Sequence, residues 1–187
     1  MTEEREKPFL WTWLELAEAL GVDADGQGPK INRIIIDSRH ALEGDLFVAL
    51  SGNPGARFNP SNVSNRDGHD YLDDVRQKGG GACVVQRQVD CDLPSLRVDD
   101  TYDALWDIAA AARKRLAGPV IGVTGSSGKT TFKSFLTQGS QGYGSPASFN
   151  NHIGVPLSLA NAPHHSGGPF IFEIGTNHAG EISPLRE

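Results

Sequence analysis

The sequence predicts an α/β fold in two parts. A small mixed α/β domain occupies residues 1–117, and the first part of a parallel-sheet domain occupies residues 118–187. The first part alternates short β-rich runs with helical patterns, and Gly118-Pro119 then interrupts the chain. The second part follows the order strand, glycine turn, helix, strand, which begins a parallel sheet because a crossover helix lets both strands run in one direction.

The first part opens with an amphipathic helix. Trp13, Leu16, Ala17 and Leu20 recur at helical spacing, which predicts a helix over residues 8–21 that ends at Gly21. The remaining predicted elements of this part are strands at 31–36 and 45–50 around a turn at Glu43-Gly44, a long loop at 51–68, a helix at 69–78, strands at 82–85 and 95–98, and a helix at 101–116 capped by Thr101.

The second part centres on two apolar strands, at residues 120–124 and 170–174. A turn at 125–128 leads into a helix at about Lys129. This helix is expected to be short, because the glycines that soon follow disfavour helix by about 1 kcal/mol each relative to alanine. A loop and a further helix are expected within residues 147–162.

Composition excludes several classes of protein. The 187 residues carry a formal net charge of −6, which argues against a nucleic-acid-binding protein. No run approaches the roughly 18 apolar residues of a membrane span, and the polar N-terminus does not fit a signal peptide. Two cysteines are too few for a disulfide scaffold, so we expect a reduced, cytoplasmic protein.

The stretch GSSGKT at residues 125–130 has the features of a phosphate-binding loop. Glycines allow a tight backbone path, Lys129 supplies a cation for β- and γ-phosphates, and Thr130 supplies a hydroxyl for Mg²⁺. Val123 departs from the usual pattern, which has glycine at that position. The alternative is an ordinary glycine-rich turn, but the apolar strand before the loop and Lys-Thr-Thr within it favour phosphate binding.

Glu173 ends the strand FIFE. Parallel sheets present ligands at the carboxyl ends of their strands, and a carboxylate there can hold Mg²⁺ directly or through water. Carboxylates at strand ends are often merely solvated, which is the alternative. The combination with the phosphate loop favours a metal ligand.

The stretch GVTGSSGKTT at 122–131 resembles the ATP loop of the Mur ligases, which build the peptide stem of bacterial cell-wall precursors. Their pattern, GxTGxxGKT, also lacks the glycine that Val123 replaces. The stretches FNNHIGVPL at 149–157 and EIGTNHAGEI at 173–182 resemble the branch of the family whose substrates are UDP-N-acetylmuramoyl-tripeptide and D-alanyl-D-alanine. IDSR at 36–39, GDLFVAL at 44–50 and DGHDY at 67–71 resemble the family's UDP-substrate domain.

The resemblance implies a UDP-precursor-binding domain at 1–117 and a P-loop-type ATPase domain that begins at 118. It implies ATP-dependent amide-bond formation, in which a carboxylate takes the γ-phosphoryl group as an acyl phosphate and an amine then displaces phosphate. The implied ATP contacts are Thr124, Gly125, Ser126, Ser127, Gly128, Lys129, Thr130 and Thr131. The implied catalytic residues are Lys129, Asn150, Asn151 and His178, and the implied Mg²⁺ ligands are Thr130 and Glu173. The implied UDP-substrate contacts are Ser38, Arg39, His69 and Asp70, although His69 also fits a buried loop histidine.

This chain is much shorter than the family's proteins. The resemblance therefore predicts an incomplete central domain, no C-terminal domain and an inactive fragment of a ligase that is monomeric when complete. The alternatives are a non-catalytic module or remnant that binds the UDP-precursor, a related ligase acting on folate or cyanophycin, and an unrelated P-loop NTPase. The DSR and DGHD motifs argue against the related ligase, and Val123 argues against the unrelated NTPase.

Overall fold

The computed structural model describes residues 9–24, 26–54, 65–146 and 149–175. These residues form two compact units. The first contains the described residues up to Asn53 and those from 65 to Thr101, and the second contains Pro54 and residues 102–175.

The first unit is built on a four-stranded parallel sheet of order β1-β2-β3-β4. Its register aligns Ile34 with Leu46, Phe47 with Cys83, and Val84 with Leu96. Every residue of the two inner strands is buried, as expected for a parallel sheet covered on both faces. The strands are β1 (Arg33–Ile35), β2 (Asp45–Val48), β3 (Ala82–Val85) and β4 (Ser95–Arg97).

The described residues of this unit include two α-helices, α1 (Trp13–Leu20) and α2 (Leu72–Gln77). Helix α1 begins with a capping box between Thr12 and Glu15 and ends at Gly21, whose φ of 63° is left-handed. The predicted start at residue 8 was wrong. Trp11 instead pairs with Ile31 in an antiparallel bridge, so the residues just before Thr12 are extended.

A long helix, α3 (Thr101–Arg115), differs from its expected place. The sequence put it in the first domain, with a boundary at 117/118, whereas all of it except Thr101 groups with the second unit. Leu116, just after the helix, packs with Ala162 and Phe170 of that unit. Thr101 donates its hydroxyl to Gln86 Oε1 at 2.9 Å, so this hydroxyl is engaged outside the helix that it was expected to cap.

The second unit has a three-stranded parallel sheet of order β5-β7-β6, in which Val123 aligns with Glu173. The predicted α/β class, with parallel strands joined through helices, is confirmed. Its elements are β5 (Val120–Val123), α4 (Lys129–Ser140), β6 (Tyr143–Gly144), α5 (Gly154–Ala160) and β7 (Phe170–Glu173). None of the described helices is long and apolar enough to cross a membrane.

Helix α4 is longer than the sequence predicted, because it continues through Gly139 to Ser140. Tertiary contacts explain the difference. Lys133 donates to Ser145 O at 2.8 Å, and Gly144 of β6 packs so closely that an added Cβ would lie 2.5 Å from Thr137 Oγ1. Packing against β6 and β7 therefore outweighs the low helix propensity of the glycine.

Candidate functional site

The loop from Thr124 to Gly128 joins β5 to α4 and is exposed along its whole length. Gly125 has φ 151° and Gly128 has φ 75°, values that side-chain-bearing residues rarely adopt. No side chain caps α4 at Gly128. The first backbone N–H groups of the helix therefore face the loop, which is the arrangement that favours an anion.

Lys129, the first residue of α4, reaches back across the loop. Its Nζ donates to Gly125 O at 2.8 Å. The ammonium group thus lies over the backbone that would surround a phosphate, and its contact with one carbonyl can be exchanged for a phosphate oxygen.

Thr130 and Glu173 meet at the carboxyl ends of β5 and β7. Thr130 Oγ1 donates to Glu173 Oε2 at 2.8 Å, and Asn150 Nδ2 donates to Glu173 Oε1 at 3.0 Å. The backbone reinforces this position, because Gly175 N donates to Asn150 O at 2.7 Å. Three residues that the sequence singled out from three separate segments are therefore in contact.

Lys133 is a fourth member of the cluster, and the sequence analysis missed it. Its Nζ lies 3.6 Å from Glu173 Oε2, and both side chains are almost fully buried. The spacing could have identified it, since residues three apart on a helix share a face and Lys133 follows Thr130 by three.

The charge of Glu173 is set by opposing effects. Burial alone would raise the pKa of its carboxyl group. The hydrogen bonds from Asn150 and Thr130, together with the Lys133 cation, outweigh burial and hold the pKa of Glu173 below its ordinary value. Glu173 is therefore a carboxylate at neutral pH.

The cluster fits Mg²⁺ by its chemistry. A hydroxyl and a carboxylate are hard oxygen donors, and Mg²⁺ commonly binds through one or two carboxylates together with substrate phosphates. No group of three or more His, Cys, Asp or Glu residues that could hold a metal occurs among the described residues. Thr130 and Glu173 could thus hold the ion only with oxygen atoms from elsewhere, and the loop is the place for a phosphate.

Of the two other predicted catalytic residues, only Asn151 lies in the part of the chain that the structure describes. Asn151 Oδ1 accepts from the backbone N–H groups of Ile153 and Gly154 at 3.1 and 2.7 Å, so the described role of Asn151 is to cap α5. A catalytic role for Asn151 stays a prediction. His178 lies outside the described residues.

The predicted UDP-substrate residues lie in the first unit, in two short 3-10 helices, Ser38–His40 and Gly68–Tyr71. Ser38 is buried, and its carbonyl accepts from Lys78 Nζ at 2.8 Å. Arg39 is exposed and pairs with Asp37 at 2.6 Å. The pair holds the pKa of Asp37 at about 2, chiefly through the hydrogen bond from the guanidinium group.

His69 is buried, and both of its ring nitrogens are engaged. Nε2 accepts from Gln86 N at 3.0 Å, which puts the ring proton on Nδ1, and Nδ1 lies 2.5 Å from Asp67 Oδ1. Asp70 is exposed and pairs with Arg87 at 3.1 Å. His69 and Asp70 line a cavity of about 190 Å³ whose other lining residues include Arg87 and Cys91.

Ser38 and Arg39 are not among the described residues that line this cavity. The structure therefore does not join the four predicted UDP contacts into one described pocket. Their role in binding UDP stays a prediction.

Comparison with known proteins gives consistent matches over both units. Residues 123–187 match the Mur ligase middle domain. The chain is 35% identical over 177 residues to the UDP-N-acetylmuramoyl-tripeptide--D-alanyl-D-alanine ligase of Escherichia coli (strain K12), covering 92% of this chain and 36% of that protein. The ligase of the same name from Rickettsia prowazekii (strain Madrid E) is 34% identical over 183 residues, covering 95% of this chain and 38% of that protein.

Solved structures give the same result. MurF from Acinetobacter baumannii superposes with a TM-score of 0.74 at 34% identity, covering 94% of this chain and 38% of that one. MurF ligase from Thermotoga maritima in complex with ADP superposes with a TM-score of 0.60 at 32% identity, covering 82% of this chain and 34% of that one. The chain thus spans little more than a third of the length of these relatives.

Proposed function

We propose, from the premise that this chain is a homologue of the Mur ligases, that it supplies the phosphate loop and metal ligands of an ATP-dependent ligase in peptidoglycan precursor synthesis. That ligase joins D-alanyl-D-alanine to UDP-N-acetylmuramoyl-tripeptide in the cytoplasm. The observation that carries the proposal is the contact of Thr130 with Glu173 beside the loop. The chain's share of the reaction is to bind ATP with Mg²⁺.

Each part of the second unit has a task in this proposal. The backbone N–H groups of residues 125–131 and the Lys129 ammonium group neutralise the phosphates, and Thr124 begins this cradle at the end of β5. Thr130 and Glu173 hold Mg²⁺, which when bound offsets charge on the β- and γ-phosphates during phosphoryl transfer. Asn150 fixes the carboxylate of Glu173 by donating to Oε1.

The substrate assignment rests on the relatives rather than on a described pocket. The two relatives named for both substrates match the first unit as well as the second. Ser38, Arg39, His69 and Asp70 are proposed to contact the UDP end of the precursor. Because both ring nitrogens of His69 are already engaged, we assign it the role of shaping the site rather than of donating to the ligand.

Calorimetric titration of the chain with Mg²⁺ and ATP tests the second unit. We expect saturable binding that Lys129→Ala weakens at least about tenfold, because a charge-assisted contact to phosphate is lost. Lys114→Ala is the matched control, since it removes an exposed lysine on α3. No ATP binding by the folded chain, or equal loss in both variants, would contradict the proposal for this unit.

A second titration, with UDP-N-acetylmuramoyl-tripeptide, tests the first unit. Arg39→Ala is expected to weaken binding, with Arg76→Ala as an exposed arginine control on α2. Precursor binding without ATP binding would instead support the alternative of a non-catalytic module that binds the UDP-precursor.

A further inference from the structure

Helix α4 buries a charged residue and leaves large apolar residues in solvent. Lys133 is its only buried residue, whereas Phe132 and Phe135 are 56% and 66% exposed. Lysine is almost never fully buried in proteins unless it is paired. The position of Lys133 therefore calls for a specific partner.

The partners are on β7 and at the end of β6. Lys133 Nζ donates to Ser145 O at 2.8 Å and lies 3.5 Å from Ser145 Oγ. Ser145 Oγ in turn accepts from the backbone N–H of Glu173 at 3.3 Å. The ammonium group is thus fixed 3.6 Å from Glu173 Oε2, the same oxygen that accepts the hydroxyl of Thr130.

We propose that Lys133 is a resident counterion of the metal site, and that it prevents a divalent cation from binding to Thr130 and Glu173 before the nucleotide arrives. This inference rests on the proposed function. The single positive charge of Lys133 already balances the single negative charge of Glu173. Among the described residues, the other side chains that hydrogen-bond to this carboxylate, those of Thr130 and Asn150, are uncharged.

A divalent ion entering alone would bring two further positive charges next to a fixed, buried ammonium group. Like charges a few ångströms apart repel strongly in a partly buried site. The phosphates of ATP supply the negative charge that the pair lacks, so the metal binds as its nucleotide complex. Lys129 differs, because its Nζ donates to Gly125 O of the loop rather than lying against Glu173.

The test uses Mn²⁺, which prefers the same oxygen ligands as Mg²⁺ and whose free fraction can be followed by electron paramagnetic resonance. For the unmodified chain without nucleotide, we expect no saturable binding at sub-millimolar Mn²⁺. Lys133→Met is expected to bind Mn²⁺ alone at least about tenfold more tightly, since the repulsive charge is gone. Lys133→Arg keeps the charge and should behave like the unmodified chain.

Lys114→Met is the matched control, because it changes the net charge equally at an exposed position on α3. Circular dichroism establishes that each variant is folded. If the unmodified chain itself binds Mn²⁺ alone with a dissociation constant below about 0.1 mM, or if folded Lys133→Met binds no more tightly than Lys114→Met, the inference is overturned. The first of these outcomes can be obtained even if Lys133→Met does not fold.

Titration with ATP in the presence of Mn²⁺ separates this inference from the proposed function. Absence of ATP binding refutes the proposed function. Tight binding of Mn²⁺ alone together with normal ATP binding refutes only the counterion role of Lys133.

Discussion

Replacing the buried carboxylate of Glu173 by an amide, Glu173→Gln, is expected to destabilise the second unit by about 3–5 kcal/mol, because Lys133 is left buried without its counterion. The two groups lie 3.6 Å apart, with side chains that are 6% and 3% exposed. At an effective dielectric constant of about 20, that separation corresponds to an attraction of about 5 kcal/mol, part of which offsets desolvation.

A double-mutant cycle isolates the interaction of the pair. Lys133→Met alone is expected to cost about 3 kcal/mol or more, since it leaves a buried carboxylate with only neutral donors. The double variant carries no uncompensated charge, so it should be less destabilised than the sum of the single variants by about 2–4 kcal/mol.

Amide hydrogen exchange is the assay, because it reports the free energy of opening for each unit separately. Amides of β7 in the second unit give the cycle, and amides of β3 in the first unit serve as an internal control that should not change. Lys114→Met, an exposed substitution, should alter exchange by less than about 0.5 kcal/mol. Additivity of the two single variants to within about 0.5 kcal/mol would refute the coupling.

Three further predictions concern the first unit. The Arg39 hydrogen bond holds the pKa of Asp37 at about 2 in the folded chain. The stabilisation from this pair should therefore be complete above the pKa of about 3.9 that Asp37 has in the unfolded chain, and it should be lost as the pH falls through about 2. Melting temperatures of Asp37→Asn and of the unmodified chain should differ at pH 6 and converge near pH 2. Thr12→Ala removes the cap of α1 and should cost about 1 kcal/mol in urea unfolding, whereas Thr12→Ser should be nearly neutral. Burial, with a smaller contribution from Cys91, raises the pKa of the Cys83 thiol to about 12. Cys91 should therefore react before Cys83 with a thiol reagent at pH 8. Equal reaction rates of the two thiols would contradict the burial of Cys83.

Much of the second unit could be predicted from the sequence because its signals are local. The apolar runs at 120–124 and 170–174 and the start of a helix at Lys129 all agree with the structure to within a residue. The expectation that Glu173 lies at the sheet edge that presents ligands rested on one rule, that parallel strands present their carboxyl ends at the same edge. Neither conclusion needed knowledge of distant packing.

Features that depend on tertiary contacts were missed. Strand β6 has only two residues, Tyr143 and Gly144, and it forms because β7 offers backbone partners to a glycine-rich segment. Lys133 was overlooked because a lysine on a helix is usually solvated, and only the three-dimensional position of Ser145 and Glu173 makes burial possible. The grouping of α3 likewise follows from its contacts with the rest of the second unit, such as Trp106 Nε1 with His152 O at 3.0 Å.

The strand order β5-β7-β6 has a consequence for the order of events during synthesis. Strands β5 and β6 do not pair with each other, and each is bonded to β7 within the described part of the chain. Among the described strands of the second unit the ribosome makes β7 last, so these three strands cannot pair until Phe170–Glu173 has emerged, whereas the described strands of the first unit end at Arg97. We therefore expect the first unit to fold first on the nascent chain. When β7 is inserted, the same step that joins these three strands delivers Glu173 to Thr130 and Lys133, so the strand pairing and this polar cluster form together.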